Sequence, residues 1–128
     1  MLRCVSTVVV SFALGLAAPA YAQVQRVFPA NALRGEMVVQ SPPAITIDGK
    51  QARLAPGARI RSENNMLAMS GALADRKLIV HYTLETNGML LDVWVLTPEE
   101  MARKPWPRTL QEARSWSFDP AGQSWSKP

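Results

Sequence analysis

The side chains best suited to chemistry lie in the run KLIVHYTLETNGMLLDVWVLT, residues 77–97. His81 is the only histidine of the chain, and Thr83 and Asp92 belong to the same run. A histidine that contacts a carboxylate can act as a general base for a hydroxyl nucleophile within hydrogen-bond reach. Catalysis of this kind requires the three side chains to meet on one face of the element that carries them.

That element is a predicted β-hairpin, because Asn87-Gly88 separates two apolar runs and is a strong two-residue turn signal. A shift of one residue in the pairing would place polar side chains on the apolar face, so one register is favoured. The favoured pairs are Leu84 with Leu91, Tyr82 with Val93, and Val80 with Val95.

The opposite face of the hairpin is mixed, and the same register sets His81 against Trp94 and Thr83 against Asp92. We interpret His81 as a strand residue packed beside Trp94, and Thr83 as hydrogen-bonded to Asp92. On this interpretation the protein is not an enzyme and has no catalytic residues. The half-apolar face still needs a cover, which either the tail of this chain or another chain could supply.

A soft-metal site is the alternative function, with His81, Met66 and Met69 as ligands of Cu(I) or Ag(I). In residue types alone the chain resembles small barrel-shaped periplasmic carriers of these ions, but it lacks their Trp-x-Glu-Met-x-Met run. Met66 and Met69 are three positions apart, and therefore lie on opposite faces of a regular strand. They converge only if a bulge forms at Ser70-Gly71; otherwise these methionines fill gaps in the core.

A third group of candidates combines tryptophan faces with the planar forks of arginine, which together suit glycans, head groups or peptides. The alternative is that the tryptophans cover the mixed face of the hairpin and leave the basic groups in solvent. The partner-binding candidates are Trp94, Arg103, Trp106, Arg108, Trp116 and Trp125.

The remaining patterns predict a mainly β fold, either a small antiparallel sheet or a partly open barrel of five to six short strands. Turn signals at Asp48-Gly49 and Pro56-Gly57 separate short strands, and Phe28–Gly35 is predicted to form one helical turn. Two Ser/Thr-x-x-Glu patterns, at Thr97 and Thr109, predict two short C-terminal helices, with a helical tail from about residue 98.

The N-terminal residues 1–22 are predicted to be a cleavable signal peptide. Arg3 precedes an apolar run of about 14 residues, too short for a stable membrane span, and Ala20-Tyr21-Ala22 is a small-x-small cleavage site. Residues 23–128 are then a single domain without cysteine or a transmembrane segment. The mature domain therefore has no disulfide, cysteine nucleophile or thiolate metal ligand.

The charge of the mature domain suggests a class of partner. The whole chain carries 14 basic and 10 acidic residues, for a formal charge of +4. Removing Arg3 with the leader leaves 13 basic residues and a charge of +3. This mild excess suits an anionic envelope component or another envelope protein, whereas nucleic acid is not expected after export. The sequence predicts no cofactor and does not set an oligomeric state.

Five stretches of the mature region resemble a group of small exported proteins from beta-proteobacteria that has no assigned activity. The resemblance implies a periplasmic location and carries no catalytic or binding residues. With the charge and export signal, it favours a non-catalytic periplasmic protein that serves as a binding or accessory module for an envelope component. The stretches are FPANALRGEMVVQSPP, ARLAPGARIR, NNMLAMSGAL, DVWVLTPEE and ARKPWP.

Overall fold

The structure, a computed structural model, describes residue 15 and residues 26–128. The predicted signal peptide lies outside the described residues except for Gly15. Within the described part of the chain, no helix has the length and apolar character needed to cross a bilayer.

The chain folds mainly into β-strands, which confirms the predicted fold class. The strands are β1 (Leu33–Val39), β2 (Ala44–Ile47), β3 (Lys50–Arg61), β4 (Leu67–Ala68), β5 (Lys77–Leu84), β6 (Leu90–Val95), β7 (Ser117–Asp119) and β8 (Ser124–Ser126). The short helices are α1 (Pro98–Met101) and α2 (Leu110–Ser115), and a 3₁₀ turn spans Ser70–Leu73.

Five of these strands close into a barrel. The order in the sheet is β2-β1-β5-β6-β3-β4, and β2 also pairs with β3, so the ring is complete and β4 extends it at one side. All neighbours in the ring are antiparallel except β3 and β6, which are parallel. A ring of five strands must contain a parallel pair, because strand direction cannot alternate around an odd number. Small β-barrels host many unrelated functions, so the fold alone assigns none.

Two local predictions differ from the structure for packing reasons. The predicted helical turn at 28–35 is only a tight turn closed by the Ala32 N–H on the Pro29 carbonyl, and β1 begins at Leu33. Gly35 belongs to the barrel, where a Cβ would lie 3.0 Å from Ile47 and 3.1 Å from Tyr82. Its role is therefore to allow close packing and not to end a helix.

The strand β3 is continuous where two short strands are predicted. The pairing with β6 is irregular between Leu54 and Arg59, and Gly57 lies in this interval with a φ of 79°. Pro56-Gly57 therefore forms a bulge within β3 and does not end the strand.

The predicted hairpin is formed by β5 and β6, and its register is confirmed along most of its length. His81 lies opposite Trp94 and Tyr82 lies opposite Val93. Near the turn the Glu85 N–H bonds to the Met89 carbonyl, so the loop has three residues, and Leu84 pairs with Leu90. The register shifts between Tyr82 and Leu84, and from Tyr82 back to Val80 the pairs are those predicted.

Side chains of alternate strand residues form two apolar layers. The inner layer fills the barrel and includes Met37, Val80 and Val93. A second layer, called here the outer layer, covers the outside of the hairpin. It consists of Phe28, Ala32, Trp94, Leu96, Trp106 and Trp125.

The outer layer shows that this chain covers its own hairpin face. Trp106 follows α1, and Trp125 lies in a small β7–β8 hairpin that the sequence patterns do not predict. Both helix caps are as predicted. Thr97 and Glu100 form a reciprocal capping box, and the Thr109 hydroxyl accepts from the Glu112 N–H.

Candidate functional site

Arg34 and His81 form a buried pair between β1 and β5. They are direct cross-strand partners, so their side chains leave the same face of the barrel. The Nε–H of Arg34 donates to Nε2 of His81 at 3.2 Å, and His81 is 1% exposed. Because Nε2 accepts this bond, the proton of the neutral imidazole resides on Nδ1.

Aromatic rings enclose His81. The Trp106 ring stacks on the imidazole with a centroid distance of 4.1 Å, and the Phe28 ring meets it edge-on at 4.4 Å. Trp94, predicted as the packing partner, lies opposite His81 in register, but its ring contacts Phe28 at 5.5 Å. The predicted register is therefore confirmed, but the tryptophan that stacks on His81 is Trp106, from the segment after α1, and not Trp94.

This environment keeps His81 neutral. Burial is the main cause that lowers the pKa of His81 to about 2, and the positive charges of Arg34, Arg26 and Arg103 contribute to the same shift. A base this weak takes up no proton near neutral pH. The position of His81 thus suits an acceptor that orients Arg34.

His81 is also not linked to the two residues that the sequence groups with it. The Thr83 hydroxyl accepts a hydrogen bond from the backbone N–H of Asp92 at 3.2 Å, so the predicted Thr83–Asp92 bond involves the main chain of Asp92. The hydrogen bond of His81 goes to Arg34 instead. These bonds do not connect the three side chains into a proton relay.

Arg34 is held by four hydrogen bonds to neutral acceptors. Besides the imidazole, its guanidinium donates to the carbonyl oxygens of Glu100, Met101 and Arg103 at 2.8–3.2 Å. The guanidinium also lies over the Trp106 ring, 5.5 Å from its centroid. The pKa of Arg34 is lowered to about 10, mainly by burial and also by the charges of Arg108 and Arg103, while Glu100 opposes the shift.

The carboxylate of Glu100 is committed to other donors. It accepts two hydrogen bonds from Arg26 and one from the backbone N–H of Thr97. Arg26 is itself buried and donates further bonds to the carbonyl oxygens of Ser62 and Val95. Glu100 therefore neutralises Arg26 directly, and contacts Arg34 only through its carbonyl oxygen.

A groove opens beside this buried network, with a volume of about 530 Å³. We call it the cationic groove. Arg34 is its buried basic residue, while Lys104, Arg108 and Lys127 are exposed. The lining residues are Arg34, Lys104, Pro105, Trp106, Arg108, Glu112, Trp116 and Lys127.

Two contacts fix side chains at the edge of the groove. The Lys127 ammonium lies over the half-buried Trp116 ring, 5.2 Å from its centroid. Arg108 forms an exposed ion pair with Asp48 at 3.0 Å. An exposed pair of this kind contributes about 0–1 kcal/mol, so Arg108 can exchange Asp48 for another anion at little cost.

The six predicted partner-binding residues separate into two groups. Trp94, Trp106 and Trp125 are buried in the outer layer, although Trp106 also reaches the cationic groove. Arg108 and Trp116 line the groove. Arg103 is half-buried next to it, and its Nη1 atom is buried with no hydrogen-bond acceptor among the described residues.

The predicted metal ligands are not brought together. Met66 and Met69 flank β4 and are 66% and 79% exposed, while His81 on β5 is buried. In the sheet, β3 and β6 lie between these strands. Among the described residues there is also no cluster of three or more histidine, cysteine or acidic side chains arranged to hold a metal ion.

Sequence reasoning missed Arg34 and Glu112 as site residues, and it named Lys104 and Lys127 only as basic residues interleaved with the tryptophans. Arg34 is assigned to a helical turn in the prediction, which hides its pairing with His81. Lys104 and Lys127 are visible in the sequence as basic neighbours of Trp106 and Trp125, but nothing local shows that both reach one groove.

Comparisons of the chain with protein-family models, with curated proteins and with solved structures gave no match.

Proposed function

We propose that this protein is a non-catalytic periplasmic binding module, and that it binds an anionic component of the cell envelope in the cationic groove. The observation that carries the proposal is the composition of the groove: four basic side chains and two tryptophans line it, with Glu112 as the acidic lining residue. A concave surface lined by one sign of charge concentrates ligands of the opposite charge. Its volume is within the usual range for small-ligand sites.

Trp116 gives the groove an aromatic surface as well as charge. The ring is half-buried, and the Lys127 ammonium lies over it. An indole face beside a cation suits a ring-shaped ligand that carries a negative group, such as a sugar or a lipid head group. The groove is thus better matched to an envelope glycan or lipid than to the other candidate partner, another envelope protein.

The periplasmic setting of the proposal rests on the predicted signal peptide and on the resemblance to exported proteins. The non-catalytic part is supported by the neutral, enclosed state of His81. No described contact favours the Cu(I) or Ag(I) alternative, since Met66 and Met69 lie apart from His81.

The proposal is tested by binding of the mature domain to two anionic probes, lipopolysaccharide micelles and phosphatidylcholine vesicles that contain phosphatidylglycerol. We expect saturable binding to at least one probe that weakens between about 0.05 M and 0.3 M salt. Pure phosphatidylcholine vesicles should not bind.

Charge-reversal variants distinguish binding in the groove from general electrostatic attraction to the protein surface. Lys104→Glu with Arg108→Glu should weaken binding about tenfold or more, because both side chains line the groove. The matched control is Arg76→Glu with Lys77→Glu, an exposed arginine and lysine outside the groove lining. Absence of binding to both probes at low salt, or an equal loss in the control, would overturn the proposal.

A further inference from the structure

We infer that the floor of the cationic groove is a specific site for a phosphate monoester group, with Arg34 as its anchor. The inference rests on the proposed function and names the ligand chemistry of the same groove.

The buried charge of Arg34 is the first argument. Arg34 is 5% exposed, and its four hydrogen-bond acceptors are an imidazole nitrogen and three carbonyl oxygens, all neutral. Buried charges in proteins are normally paired with an opposite charge. The carboxylate of Glu100 is bound to Arg26, so an anion from outside is the missing partner of Arg34.

The geometry of Arg34 is already set for such a partner. A guanidinium has five N–H groups, and the four bonds leave one Nη2 hydrogen for a further acceptor. Its plane is fixed by His81 at one side and by the Trp106 ring over it. A cation that is rigid before binding loses little conformational entropy on binding, and arginine suits phosphate oxygens. His81 is thereby a positioning residue for Arg34.

The net charge of the site selects a dianion. The four lining cations are opposed by Glu112 and by Asp48, which pairs with Arg108, so two positive charges remain. A phosphate monoester carries about −1.5 to −2 near neutral pH, and so matches this excess. A carboxylate or a phosphodiester carries one negative charge and would leave the site positive.

The size of the groove indicates what the phosphate is attached to. About 530 Å³ is far more space than a phosphate group needs, and Trp116 is one of the residues that line it. We therefore infer a sugar ring that bears the phosphate and lies against this indole. A soluble sugar phosphate and the phosphorylated head group of a glycolipid share this chemistry.

The test is calorimetric titration of the mature domain with glucose 1-phosphate, inorganic phosphate and glucuronate, which carries the same ring with one carboxylate. Vesicles with phosphatidic acid, a monoester, and with phosphatidylglycerol, a diester, distinguish a lipid source from a soluble one. We expect glucose 1-phosphate or phosphatidic acid to bind about tenfold or more tightly than its singly charged counterpart. Arg34→Gln should remove this preference.

A second pair of variants decides the matter if Arg34→Gln does not fold by circular dichroism. Arg108→Gln should weaken binding of the monoester severalfold, and Glu112→Gln should strengthen it, because both side chains line the groove. Binding of glucuronate and phosphatidylglycerol equal to that of the monoesters would overturn the inference and leave the proposed function standing. Failure of every anionic probe to bind would overturn both.

Discussion

Arg26 and Glu100, 74 positions apart in the chain, form a buried ion pair in which the arginine donates two hydrogen bonds to the carboxylate. The same arginine binds the carbonyl oxygens of Ser62 and Val95. One side chain thus joins the N-terminal segment to the end of β3, to β6 and to α1.

Loss of one partner of this pair should be costly. We expect Glu100→Ala to lower the free energy of unfolding by about 3–5 kcal/mol, because Arg26 is left buried without its counter-charge. Replacing both residues, as in Arg26→Met with Glu100→Leu, should cost less than the single change. Urea denaturation of the three proteins provides the measurement. A single variant as stable as the double one would contradict the role given to the pair.

His81 should make stability depend on pH in the mildly acidic range. Its pKa falls from 6.5 when unfolded to about 2 when folded, so below pH 6.5 the unfolded chain binds a proton that the folded chain does not. The free energy of unfolding should therefore decrease by about 1.5 kcal/mol between pH 6.5 and about pH 5 from this group alone.

His81→Gln should remove that dependence, since the glutamine carbonyl can still accept from Arg34. Burial by itself raises the pKa of Glu100, but hydrogen bonds from Arg26 and Thr97 outweigh it and keep the pKa below its ordinary value of 4.5. Glu100 thus stays ionised between pH 6.5 and about pH 5. Its protonation lowers the free energy of unfolding only at lower pH. Equal pH slopes in urea denaturation of both proteins would contradict the assignment of His81.

Trp106 should dominate the stability of the outer layer. Its ring stacks on His81, and its indole N–H donates to the Ala32 carbonyl at 3.0 Å. We expect Trp106→Ala to cost about 3–5 kcal/mol. Trp106→Phe, which keeps a ring and loses the hydrogen bond, should cost less. Thermal unfolding provides the measurement, with Trp116→Phe as the control. A larger loss of stability for Trp116→Phe than for Trp106→Phe would contradict this ranking.

Gly35 should not tolerate a methyl group. A Cβ at this position would approach Ile47 and Tyr82 inside the barrel at 3.0 and 3.1 Å. Gly35→Ala should therefore destabilise the fold by about 1–3 kcal/mol. Gly71→Ala is the matched control, because nothing lies within 4 Å of its Cβ and its φ is not positive. Similar denaturation midpoints for the two variants would show that the barrel accommodates a methyl group at Gly35, and would contradict this prediction.

Cleavage of the leader should occur between Ala22 and Gln23. A cut there retains Phe28, which belongs to the outer layer, and Arg26, which pairs with Glu100. We expect mass spectrometry of the periplasmic fraction from a Gram-negative host to show a chain that starts at Gln23. Ala22→Arg should block processing and retain the leader. A mature chain that begins after Phe28 would contradict this expectation.

The features that could be predicted from sequence are those with a local cause. The Asn87-Gly88 turn and the apolar alternation around it set the pairing of His81 with Trp94, as observed. The cap of Thr97 also depends on residues within one helical turn. Such signals require no knowledge of where distant segments lie.

The site depends on long-range contacts and could not be predicted in this way. Arg34 meets His81 because β1 and β5 are neighbours in the barrel, and Trp106 covers both from the opposite end of the chain. The groove adds Lys127 and Trp116 through the unpredicted β7–β8 hairpin. Sequence reasoning therefore named Trp106, Arg108 and Trp116, while their grouping with Arg34 and Lys127 required the structure.

The outer layer also sets the order in which the chain can fold during synthesis. The Phe28 N–H bonds to Gln123 across 95 positions, and Arg26 needs Glu100. The start of the domain therefore lacks its last hydrogen-bond partners until almost the whole chain has left the ribosome. Contacts so distant in sequence form slowly. These contacts therefore stay incomplete through most of translation, which would suit a chain that is exported in an unfolded state.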